Sequence, residues 1–149
     1  MNLQHDVRTV ARQFQIYGEF LGAESYGSGH INDTYCAVFD LAGTRVRYIL
    51  QRINHNIFKN PIALMENVHR VTAHLGAKLA GEPDFLRRAL TLLPSREGKP
   101  WVIDTEGNCW RTIVYNKQFD PFIVGFSLFT ICHSPFTTSP IPLTSHPCN

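Results

Sequence analysis

Apolar and polar positions alternate along the first half of this chain with the period of a strand, and then switch to the period of a helix. In Arg45 to Ile53, Val46, Tyr48, Leu50 and Arg52 fall on one face, and Arg45, Arg47, Ile49, Gln51 and Ile53 on the other, which predicts a strand. Glu19 to Tyr26 and Thr34 to Asp40 read as two earlier strands, and Leu41-Ala42-Gly43-Thr44 supplies the turn into the third. Before them, Asp6 caps a short helix with Val7, Val10, Ala11 and Phe14 at helical spacing, expected to reach about Tyr17 and to stop at Gly18. After them comes the clearest helix, with Asn60 as N-cap, Pro61 at the first position, an apolar stripe of Leu64, Val68, Val71 and Leu75, and an end near Leu79. Leu90 to Pro94, Pro100 to Asp104 and Cys109 to Tyr115 read as further strands, the last two joined by a turn at Gly107. The expected fold is α+β: an antiparallel sheet of five or so strands with a covering helix, over residues 1–115.

Residues 116–149 differ in character. From Pro121 onward there is no Asp, Glu, Lys or Arg, and Ser134 to Pro147 is rich in Pro, Ser and Thr, so this part is expected to be an irregular, disordered tail or an aberrant terminus. Phe122 to Cys132 is apolar but too short to predict a membrane span. With 149 residues, 44% of them hydrophobic and 17% charged, the composition fits one globular core. A net charge of +2 with no basic run gives no footprint for nucleic acid. The four cysteines form no C-x-x-C pair, which argues against a zinc ribbon, and no basic-then-apolar leader opens the chain, so a cytoplasmic location is expected.

The candidate chemistry sits in the link between the first two strands, Tyr26-Gly27-Ser28-Gly29-His30-Ile31-Asn32-Asp33-Thr34-Tyr35. Gly27 and Gly29 can take positive φ and bring backbone N–H groups close to a phosphate, although taken alone the pair reads as an ordinary hairpin turn. A dinucleotide fingerprint fails, because Asn32 stands at the third glycine position and a strand follows. A P-loop fails for want of Gly-Lys-Ser/Thr. A glycine loop between antiparallel strands does match a kinase-type nucleotide lid, in which a third-strand cation holds the phosphates and a helix carboxylate orients that cation. Arg52 is the candidate cation, Leu50 two residues earlier is available to an adenine, and Glu66 is the candidate carboxylate.

The glycine loop, the run Tyr48-Ile-Leu-Gln-Arg-Ile-Asn-His-Asn-Ile-Phe and Asn60-Pro-Ile-Ala-Leu-Met-Glu-Asn-Val together resemble the amino-terminal lobe of the aminoglycoside-phosphotransferase-like kinases, closest to the N-acetylhexosamine 1-kinases. The resemblance covers about residues 10 to 113. It implies ATP and magnesium as cofactors and a small hydroxylated acceptor such as an amino sugar. By position it makes Ser28 to Asn32 the phosphate lid, Arg52 or alternatively Gln51 the phosphate-facing residue, and Glu66 the helix partner.

Kinase chemistry also needs a catalytic Asp and magnesium ligands. The sequence holds no His-x-Asp-x-x-x-x-Asn pattern, and Asp120 is its last acidic residue. The expectation is therefore part of an ATP site with no turnover by this chain alone. The alternative is a non-enzymatic protein-interaction or regulatory module whose exposed apolar sheet face binds another protein, a surface that also invites self-association. A Cys- or His-based hydrolase has no support in spacing, and His55, His69 and His74 read as surface or packing residues.

Overall fold

A computed structural model describes residues 5–27, 31–82 and 90–115. The elements run α1 (Val7–Ala11), β1 (Glu19–Ser25), β2 (Asp33–Leu41), β3 (Thr44–Arg52), α2 (Pro61–Leu79), β4 (Leu92–Leu93), β5 (Val102–Ile103) and β6 (Cys109–Val114). The six strands form one antiparallel sheet in the order β1-β2-β3-β6-β4, with β5 pairing β6 beside that path. The α+β class holds, with six strands against the five or so expected. The expected tail over 116–149 lies outside the described residues.

The central strand is β3, paired on one side to β2 and on the other to β6. Its alternation divides the molecule into two layers. Tyr48 and Leu50 face a core built with Val7, Val10, Ala11 and Phe14 from the α1 region, Tyr35, Ala37 and Phe39 of β2, Val102 of β5 and Trp110 of β6. Ile49 and Ile53 face the second core, with Cys36, Cys109 and Ile113 from the sheet and Met65 and Val68 from α2. Each layer removes a contiguous apolar surface from water, the main favourable contribution to folding.

Helix α2 starts where the sequence dictates. The Asn60 side chain accepts a hydrogen bond from the Ala63 N–H at 3.1 Å, and Pro61 occupies the first helical turn, where its missing N–H costs nothing. The buried pair differs from the expected stripe: Met65 and Val68 meet the sheet, Leu64 is partly buried against it, and Leu75 is 42% exposed. Helix α1 is shorter than expected and ends at Ala11, although Asp6 caps it by accepting from Thr9 N at 3.1 Å. The reason is non-local. Phe14 forms an isolated bridge with Ser95, and Gln15 N donates to Pro94 O at 2.9 Å, so the segment expected to continue the helix pairs instead with residues about 80 positions further along the chain.

Gly18 joins this segment to β1 at φ +102°, and a Cβ there would run into the Asp40 carbonyl of the neighbouring strand. Gly18→Ala is therefore expected to destabilise the fold by about 1–3 kcal/mol, read as a lower urea midpoint at unchanged m. Thr112 lies on the α1 side of β6, opposite Leu50 and Leu93, and its buried Oγ1 has no hydrogen-bond partner. Thr112→Val keeps the shape and removes the unsatisfied hydroxyl, so it is expected to be neutral or to stabilise by about 1 kcal/mol in the same measurement.

Candidate functional site

The glycine link lies at the end of the sheet where β1 stops and β2 begins. Tyr26 N donates to Thr34 O at 2.8 Å, closing the mouth of the link, and Gly27 is exposed at φ +82°. Ser28, Gly29 and His30 lie outside the described residues. On the far side, Ile31 is partly buried, and buried Asn32 accepts through Oδ1 from the Asn54 N–H at 3.0 Å.

Arg52 ends β3 directly opposite Asp33, the first residue of β2. Its Nε donates to Asp33 Oδ2 at 2.7 Å, a second guanidinium nitrogen closes the ion pair on the same oxygen, and Nη1 donates to Asn108 Oδ1 at 3.2 Å. Asn108 is held in turn by Asp104, whose Oδ2 accepts from Asn108 Nδ2 at 3.0 Å and from Trp110 Nε1 at 2.8 Å. His5 stands edge-on to Trp110 at 5.5 Å, with Nε2 3.7 Å from Asp33 Oδ2 and Nδ1 3.8 Å from Glu106 Oε2. Arg52 therefore ties the exit of the glycine link to the β5–β6 turn on the α1 side of the sheet, and His5 of the N-terminal segment lies against the same Asp33 and turn. Burial by itself would raise the Asp104 carboxyl, but the hydrogen bonds from Trp110, Asn108 and the Asn108 and Glu106 backbone outweigh it and hold the carboxyl below its ordinary value. Tyr35, in the same layer, is pushed up by burial and by the Asp33 charge.

Arg52 and Glu66, expected to pair, are not joined by a hydrogen bond or ion pair. Strand parity puts Arg52 on the α1 side with Leu50, while α2 docks on the opposite face through Met65 and Val68 and leaves Glu66 exposed. Leu50, expected to be open to an adenine, is fully buried among the α1-side core residues.

The residue of β3 that does face the α2 side at this level is Gln51, the alternative register. Gln51 Nε2 donates to Thr34 Oγ1 at 3.1 Å, and Gln51 Oε1 accepts from Arg111 Nε at 2.9 Å. Thr34, Gln51 and Arg111 are register partners on three adjacent strands, so they form one polar row across the sheet beside the glycine link. Arg111 is only 2% exposed. Sequence reasoning passed over it, although an arginine in the apolar strand Cys109–Val114 was the available signal. Cys109, on the same face, is raised to about 11 by burial, and burial also raises Cys36, so neither thiol is a ready nucleophile.

Among the described residues no group of His, Cys, Asp and Glu could hold a metal ion, so the magnesium that the family resemblance implies finds no ligand set here. No helix among them is long and apolar enough to cross a membrane. A groove of about 560 Å³ between Thr9, Arg12, Arg96 and Trp101 shares no lining residue with the glycine link. No protein-family model matches the sequence.

Because the Asp104 carboxyl is depressed in the fold, its share of stability is present above its unfolded value near pH 4 and is lost as pH falls through the lower folded value. Asp104→Asn is expected to flatten the acid limb of stability against pH below about pH 4, measured by urea titrations at stepped pH; an unchanged limb would count against this assignment.

Proposed function

We propose that this chain carries the nucleotide-facing lobe of an ATP-dependent phosphotransferase whose acceptor is a small hydroxylated molecule such as an amino sugar, and that it does not turn over by itself. The observation that carries the reading is the arrangement around β3. A glycine-bearing link joins antiparallel β1 and β2, the third strand pairs next to them, and a capped helix follows and docks on the face that Gln51 shares. That is the order in which a kinase-type lid, its third-strand phosphate contact and its orienting helix occur. Two clamps support the lid role of the link: the Asp33–Arg52 ion pair and the Asn32–Asn54 hydrogen bond fix its exit, while its entry runs through Gly27.

Within the proposal Arg52 acts by holding the loop, and the Glu66 role has no geometric support. Catalysis by positioning and charge neutralisation needs an acidic base and metal-binding carboxylates. The sequence contains no His-x-Asp-x-x-x-x-Asn pattern to supply them. Purified chain incubated with ATP, magnesium and N-acetylhexosamines is therefore expected to form no sugar phosphate, while millimolar ATP raises its melting temperature. Sugar phosphate above the protein-free control would refute the inactivity, and an unmoved melting temperature would refute nucleotide binding.

A further inference from the structure

We propose that the groove between α1 and the β4–β5 connection is a docking site for an extended, acidic peptide segment of a partner protein, taken up as an added strand on the free edge of β5. The groove encloses about 560 Å³, with Arg12 on one wall, Arg96 and Lys99 on another, and Trp101, Val102 and Ile103 along its length. Three consecutive residues whose side chains alternate between the two faces of a sheet share one groove where that groove follows the backbone edge. The backbone is unpaired there. Ile103 stands opposite Cys109 of β6, but the Cys109 carbonyl accepts from Ile53 N at 2.8 Å on the β3 side, and Asp104 N donates to Asn108 O at 3.0 Å. Antiparallel alternation therefore turns the Ile103 N–H and C=O away from β6, and among the described residues no strand pairs that edge. The Ile103 side chain beside it is 44% exposed.

The rim sets the charge preference. The exposed Arg12 side chain makes no hydrogen bond or ion pair among the described residues; its charge reaches Asp6 only through space, and that carboxylate is occupied by Thr9. Arg96 Nε donates to Arg12 O at 2.6 Å, which fixes the guanidinium beside α1 and leaves its two Nη groups unengaged. The one carboxylate of the lining, Glu97, lies 3.9 Å from Lys99 and offsets one of the three cations. The walls are set in advance. Arg96 N donates to Gln13 O at 2.8 Å, Gln15 Nε2 to Ser95 O at 2.9 Å, and Lys99 N to Ser95 Oγ at 3.1 Å, so a ligand pays little to organise the groove. Cations along an unpaired edge also select the occupant. They discourage pairing with a second copy, which would set Arg12, Arg96 and Lys99 against their own kind, and they attract a strand of opposite charge. Main-chain hydrogen bonds to Ile103 then supply affinity, and acidic side chains reaching the rim supply selectivity.

The probe is a short peptide alternating glutamate and valine, blocked at both ends and titrated calorimetrically into the full chain at low salt. It is expected to bind with a Kd below about 0.1 mM, and the same peptide with lysine in place of glutamate at least about tenfold more weakly. Arg12→Gln, on an exposed side chain without partners, is expected to leave the melting temperature unchanged and to weaken the acidic peptide at least about fivefold. Methylating every backbone nitrogen of the peptide keeps its charge and removes its main-chain donors, and is expected to cost at least about tenfold. Saturating ATP is expected to leave the peptide affinity within about twofold, because the groove shares no lining residue with the glycine link, so this outcome stands apart from the nucleotide reading. No binding of the acidic peptide by the original chain, or equal binding of the lysine peptide, would overturn the proposal. Undiminished binding of the methylated peptide would remove the added strand, and a dimer in light scattering that the peptide does not dissociate would assign the edge to a second copy.

Discussion

The two-residue period of β3 is the constraint on which the rest of the molecule depends. Pairing satisfies both backbone edges of β3, and because both of its faces carry apolar side chains, both must be covered. Tyr48 and Leu50 bring α1 and its extended continuation onto one face, and Ile49 and Ile53 bring α2 onto the other. The polar residues of the strand are sorted by the same period. Arg52 joins the α1 layer and Gln51 the α2 layer, and no side-chain rotation can exchange them, because a one-residue slip would reverse every contact on both sides.

This sorting explains how far the sequence could be read. Strand existence was legible, since the alternation in Arg45 to Ile53 and the turn at Ala42-Gly43 are local signals, and so was the start of α2 at Asn60-Pro61. The side on which α2 would lie was not legible, because that depends on how the segment after Arg52 crosses the sheet. Assigning Arg52 to Glu66 therefore placed a cation and a helix on the same face when the chain puts them on opposite ones. The Gln51–Arg111 contact joins residues 60 positions apart, through a pairing of β3 with β6 that no local pattern encodes. The shortening of α1 has the same origin, in a bridge from Phe14 to Ser95.

The two polar assemblies at the glycine link do different physical work. On the α1 side, an arginine and an aspartate form a charge-matched pair whose partners continue into the Asn108–Asp104–Trp110 turn, so the exit of the link is hydrogen-bonded to the β5–β6 hairpin. On the α2 side, a threonine, a glutamine and an arginine form a hydrogen-bonded polar row within an apolar layer.

Helix α2 is fastened unevenly. Its cap and its two buried residues, Met65 and Val68, all lie in the first half, whereas Leu75 is exposed and the helix ends at Ala80 in extended geometry. Among the described residues it resembles a cantilever, with its fully buried side chains gathered near its root. Force or docking applied near Leu75 would act with a long arm on Met65 and Val68, and those two side chains touch the same layer of the sheet that holds Ile49 and Ile53 on either side of Gln51.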